Sequence, residues 1–135
     1  MTRLHIVKLG HPVLRAKADP VEGITPSLER LATDLAETMY DAPGIGLAAP
    51  QVGVGLRLFV CDPDYREDRA SRRPRVFYNP EVLEESDEDE SEEEGCLSIP
   101  GVMGEVWRPV WIRVRARDER FREFETVARG LMARV

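Results

Sequence analysis

Between Pro26 and Tyr40 the apolar residues return every three or four positions. Leu28, Leu31, Leu35 and Met39 form one stripe, while Glu29, Arg30, Asp34 and Glu37 fall away from it, which predicts an amphipathic helix. Thr25 suits the N-cap, Pro26 suits the first helical position, and Pro43-Gly44 ends the run. Further on the period drops to two. From Val106 to Arg117, Val110, Ile112, Val114 and Ala116 share one face while Trp111, Arg113, Arg115 and Arg117 share the other, which predicts one half-buried antiparallel strand. Asp118 to Arg120 can turn the chain back into a weaker partner strand, Phe121 to Ala128. Leu56 to Cys61 and Arg75 to Leu83, the latter interrupted at Pro80, also read as strands. The first 25 residues are irregular, and Gly130 to Val135 reads as a helix just starting. A domain seldom stops on an uncapped apolar turn, so the expectation is a single domain, residues 1–135, truncated at its C-terminus. One helix, several antiparallel strands and a second helix begun make the fold class α+β.

Composition narrows the function classes. With 42% hydrophobic and 33% charged residues, the 135-residue chain has the make-up of a soluble globular domain. No apolar run approaches the roughly 20 residues that span a bilayer, and Met1 to Arg15 has no continuous apolar core of a secretory signal. The expectation is therefore a cytoplasmic protein without a membrane partner. A formal charge of −6 argues against a nucleic-acid partner. Arg69, Arg72, Arg73 and Arg75 are interleaved with Asp62, Asp64, Glu67 and Asp68, which reads as a polar surface loop. Glu84 to Glu94 holds nine acids in eleven positions, read as a solvated, self-repelling stretch. The functional alternative is a negative rim that biases which ligands approach. Cys61 and Cys96 are expected to remain thiols, and Trp107 and Trp111 are expected to pack.

Two segments could carry chemistry. In Gly44-Ile45-Gly46-Leu47-Ala48-Ala49-Pro50-Gln51 the glycines permit close backbone approach, the alanines leave room, and Gln51 brings an amide donor. Such a segment either pairs with an extended peptide and polarises its carbonyl, or is a tight connection between helix and strand. In Glu94-Gly95-Cys96-Leu97-Ser98 the cysteine is a metal ligand, a nucleophile or a small buried hydrophobe. A nucleophile would want a histidine nearby, and only His5 and His11 exist, both near the N-terminus. A metal ligand would need company, because catalytic zinc-type sites take three protein ligands.

GIGLAAPQ followed some forty residues later by EGCLS resembles the first and second signature motifs of the peptide deformylases, and the GHPVLR segment, Gly10 to Arg15, fits the same pattern. The resemblance runs from about His5 to Val135. It implies the family's α+β fold, antiparallel sheets around a central C-terminal helix, and removal of the formyl group from formylmethionine on newly made polypeptides, at the ribosome. It implies a divalent metal, typically iron(II), with zinc or nickel as substitutes, and Cys96 as its thiolate ligand. Gln51 and the Leu97 N–H would stabilise the oxyanion. Ile45, Gly46 and Gly95 would pair with the substrate backbone, and Glu94 would flank the methionine pocket.

One departure stands out. The family's third motif, HExxH on a C-terminal helix, supplies two further metal ligands and a general base, and it does not occur between Met1 and Val135. The chain from Met1 to Val135 is therefore expected to lack a complete metal site and to be inactive, poorly stable or self-associating. A non-catalytic peptide-binding module is the competing reading, and an acidic interaction protein a third.

Overall fold

The computed structural model describes residues 3–65 and 69–135; Met1, Glu67 and Asp68 lie outside them. The expected helix is present as α1, Pro26–Asp41, and the Thr25 hydroxyl accepts from the Leu28 N–H at 3.2 Å as its N-cap. Leu35 and Met39 are fully buried, with Leu28 and Leu31 packed at the edge of the same cluster. The chain leaves α1 through Gly44, whose N–H donates to the Met39 carbonyl at 2.7 Å.

Seven strands follow: β1 (Gly46–Ala48), β2 (Leu58–Cys61), β3 (Arg75–Glu85), β4 (Asp89–Cys96), β5 (Ile99–Pro109), β6 (Trp111–Arg117) and β7 (Glu123–Arg129), then a helical turn α2, Leu131–Arg134. Five form an antiparallel sheet in the order β1-β2-β3-β6-β7, while β4 and β5 pair only with each other as a separate ribbon. Side chains alternate across the sheet. Leu58, Val60 and Tyr78 join the α1 cluster on one face. Cys61, Phe77, Val114 and Ala116 build a second cluster, with Phe59, Ile112, Phe124, Met132 and Val135 packed against it. Phe59 stacks on Phe77 with ring centroids 4.6 Å apart.

Two expectations about strands need correction. The run from Val106 to Arg117 is not one strand: Val106 to Pro109 belong to β5 in the ribbon, and only Trp111–Arg117 enters the main sheet. Pro109 lacks the N–H a ladder needs. Val110 is then held at the corner by donating to the Ser86 hydroxyl at 2.8 Å and to the Glu88 carbonyl at 3.0 Å. The acidic run divides between the end of β3 and the start of β4, with Ser86 to Glu88 between them. Trp107 does not pack; it is 64% exposed on the ribbon. Arg72 is more than a surface-loop charge, since its guanidinium lies 4.3 Å above the Tyr40 ring and 3.6 Å from Glu37. Phe121, expected in the last strand, instead takes the turn before it with φ 62° and sets its ring 6.1 Å from that of Tyr78.

The interruption at Pro80 is a bulge within β3, where the register to β6 shifts between Tyr78 and Glu81. Asn79 adopts φ 50°, a left-handed conformation that asparagine tolerates better than most residues. Its side chain captures both backbone groups of buried Val21, accepting from the N–H and donating to the carbonyl, each at 2.7 Å. Asn79→Ala would orphan both groups and is expected to lower the unfolding free energy by about 2 kcal/mol in urea denaturation. A loss below about 0.5 kcal/mol, within the range of an ordinary surface substitution, would contradict this role.

Candidate active site

Among the described residues β1 is an edge strand with a single partner. The Ile45 carbonyl accepts from the Asp62 N–H at 2.8 Å, and Leu47 lies opposite Val60. Hydrogen-bonding direction alternates along an antiparallel strand, so Gly46 turns its N–H and carbonyl away from β2. Ala48 turns the same way, and its N–H meets Gln51. The glycine at position 46 also makes room: a Cβ there would come within 2.9 Å of Val135 Cγ1.

Gln51 sits in a 3-10 turn, Ala49–Val52, that follows β1 directly. The Ala48 N–H can only donate, so the amide atom it meets at 3.0 Å is Oε1. That orients the amide and points its NH₂ the other way, 3.5 Å from Cys96 Sγ and 3.4 Å from Ser98 Oγ. The Gln51 carbonyl also accepts from the Val7 N–H at 2.7 Å, so the backbone beneath the amide is anchored.

Cys96 ends β4, and Leu97-Ser98 form the two-residue turn into β5, Cys96 standing opposite Ile99. The turn is docked rather than free. The Ser98 carbonyl accepts from the Leu9 N–H at 2.9 Å, and Leu97 fills the space that a side chain on Gly44 would need, its Cδ1 lying 2.9 Å from such a Cβ. Forty-five positions of sequence thus separate two groups in contact.

All seven site residues anticipated from sequence, Ile45, Gly46, Gln51, Glu94, Gly95, Cys96 and Leu97, line one open cleft of 1390 Å³ between β1 and the ribbon. Sequence reasoning missed Arg108 and Arg134 on the same wall. Arg108 grips the Glu94 carboxylate through Nε and Nη2 at 2.9 to 3.1 Å, and Arg134 Nη1 reaches it at 2.8 Å. The hydrogen bond from Arg108, reinforced by Arg134, holds the Glu94 carboxyl below its ordinary range. Only the charge order of the ribbon strands hinted at this pairing. His11 is not among the residues lining the cleft; its Nδ1 accepts from the Val13 N–H at 3.2 Å and caps a short turn.

The sequence profile of the polypeptide deformylase family matches residues 3–135. The chain belongs to the polypeptide deformylase family. It is 47% identical over 139 residues to the peptide deformylase of Salinibacter ruber, a match spanning 98% of this chain and 71% of that one. Among solved structures, the peptide deformylase of Thermotoga maritima superposes with a TM-score of 0.92 at 38% identity, covering 100% of this chain and 87% of that one. A peptide deformylase from Synechococcus elongatus, in complex with actinonin, gives 0.91 at 41% identity, over 97% and 70% of the two chains.

Membership of the deformylase family implies a divalent metal. Cys96 is an exposed thiol whose neighbour is the Gln51 amide, a fitting donor with a fitting second partner. Among the described residues, however, no group of three His, Cys, Asp or Glu side chains comes together to hold a metal ion. These residues alone do not fit a metal. No helix among them is long and apolar enough to cross a membrane.

The two free thiols are set apart by burial, since Cys61 is 1% exposed whereas Cys96 is exposed. Iodoacetamide at pH 8 is expected to alkylate Cys96 and spare Cys61 in the native metal-free protein, as peptide mass mapping would show. Burial pushes the Cys61 thiol up to about 11. The folded value lies above the unfolded one of about 8.5. Its contribution to stability is therefore complete below about pH 8.5 and lost as pH rises towards 11. Cys61→Ala should show a shallower alkaline fall in the denaturation midpoint than the parent protein.

Proposed function

We propose that this protein removes the formyl group from formylmethionine at the N-terminus of newly made polypeptides at the ribosome, as an iron(II)-dependent hydrolase of the cytoplasm. The observation that carries the reading is the Gln51 amide, locked by Ala48 so that its NH₂ projects towards Cys96 at the foot of the cleft.

Hydrolysis adds water across the formyl C–N bond: oxygen joins the formyl carbon, the C–N bond breaks, and formate leaves a free amine that has gained the proton. The chain's own residues serve this reaction by binding and by electrostatics. An extended peptide can add to the open edge of β1, pairing with Gly46 and meeting Gly95 across the cleft; Ile45, expected to pair as well, has its carbonyl engaged by Asp62 and serves with Leu97 as a wall. The formyl oxygen then lies where the Gln51 NH₂ and the Leu97 N–H can stabilise it as negative charge develops. Such donors act best when fixed beforehand, and Gln51 is fixed from both ends. Glu94 shapes the cleft wall as a carboxylate already paired with arginines. Cys96 brings a thiol to the same cleft, a side chain that would hold a divalent metal as thiolate.

A second reading is a deformylase-like module that binds peptides along the open edge of β1 without catalysis. Metal analysis of the anaerobically purified full-length protein separates the two: about one iron per chain supports the hydrolase, and a metal-free protein that still binds formylmethionyl peptides supports the module. For the hydrolase, Gln51→Leu is expected to lower kcat by about 10²–10³ with a small change in KM. A variant with unchanged kcat on a formylmethionyl tripeptide would remove Gln51 from the chemistry.

A further inference from the structure

The described chain holds one strongly buried cation that the reading above leaves without a role. Arg134 closes the helical turn α2, and its side chain is only 5% exposed. Its guanidinium binds the Glu94 carboxylate at 2.8 Å, the Val106 carbonyl at 3.2 Å and the Glu90 carbonyl at 2.5 Å, with the Glu92 carboxylate at 3.4 Å. Glu90, Glu92 and Glu94 lie two apart and so share one face of β4. Val106 is on β5 opposite Glu92. One side chain therefore grips both strands of the ribbon. We propose that Arg134 is a positioning residue: it clamps the β4–β5 ribbon to α2 and thereby sets where Gly95, Cys96 and Leu97 stand across the cleft from β1. The inference rests on the deformylase reading for what the clamp serves.

The ribbon needs such a clamp. Two strands on their own are marginal in water, and β4 and β5 exchange ladder hydrogen bonds only with each other. One end is docked by the Leu97-Ser98 turn, the other by the Ser86–Val110 corner. Arg134 holds the span between them. The same turn also leans on the opposite wall, because Val135 Cγ1 abuts Gly46. Arg134 and the following Val135 thus touch the two sides of the cleft.

Arg134 is not needed merely to neutralise Glu94, which retains the two-pronged contact from Arg108. What it alone supplies is the planar fork that reaches a carboxylate and two carbonyls together. A lysine at this place could meet one of them as a point charge but not all three. Misplacement of a site wall by about 1 Å costs up to about a hundredfold in rate.

The test uses the full-length protein with Arg134→Met and Arg134→Lys, read by amide hydrogen exchange and by kinetics on a formylmethionyl tripeptide. The expected result is faster exchange confined to β4 and β5, unchanged protection in β3, β6 and β7, and a kcat/KM lowered about tenfold or more for Met, with partial recovery for Lys. Wild-type exchange, or wild-type kcat/KM, in Arg134→Met would overturn the proposal. So would uniform loss of protection, or failure to fold, in both variants, which would make Arg134 a general stability residue. Should the parent protein deformylate nothing, the function reading fails, while ribbon-confined exchange in the variants would still support the clamp.

Discussion

The cleft depends on the docking of a two-residue turn. Leu97 and Ser98 connect the strands of a ribbon that has no place in the main sheet, and they reach back to the segment around Gly44 and Gln51. Leu97 fills the space left by a missing side chain, Ser98 accepts from Leu9, and Gln51 bridges to Ser98 and Cys96. Each contact is small, worth about 1 kcal/mol as a net hydrogen bond. Together they decide whether the ribbon faces β1 at all. A side chain at Gly44 or Gly46 would displace Leu97 or Val135, whose methyl groups stand 2.9 Å from where its Cβ would be.

Behind this wall the main sheet supplies rigidity. Its two faces carry separate clusters, one under α1 and one beneath Phe77 and Val114, so β2 and β3 are fixed from both sides. β1 inherits that rigidity through its ladder with β2 while keeping its other edge open. A stiff edge with unpaired backbone groups suits the recognition of an extended peptide. Charge is managed on the ribbon by pairing: Arg108 and Arg134 answer part of an acidic run that would otherwise repel itself.

Much of this was legible in the sequence where a period or a motif carried it. The α1 stripe and the alternation of Ile112, Val114 and Ala116 announced their elements, since each buries one face. Gln51 and Cys96 stood out through their motifs. β1 was not legible as a strand because Gly-Leu-Ala has little strand propensity and pairs through β2 alone. The ribbon was missed where it runs through Pro100, Gly101 and Gly104 and exposes Val102, Met103 and Trp107, leaving no alternation between buried and wet faces. Arg134 could not be singled out because its burial exists only once the ribbon has folded over α2.

The central claim is that the open edge of β1 and the ribbon together hold an extended peptide. Amide hydrogen exchange of the full-length protein, with and without a saturating methionyl tripeptide product, tests it most directly. The account expects the amides of Gly46 and Gly95 to slow on binding while those of β6 and β7 keep their rates. Saturable binding that leaves Gly46 and Gly95 unprotected would contradict it.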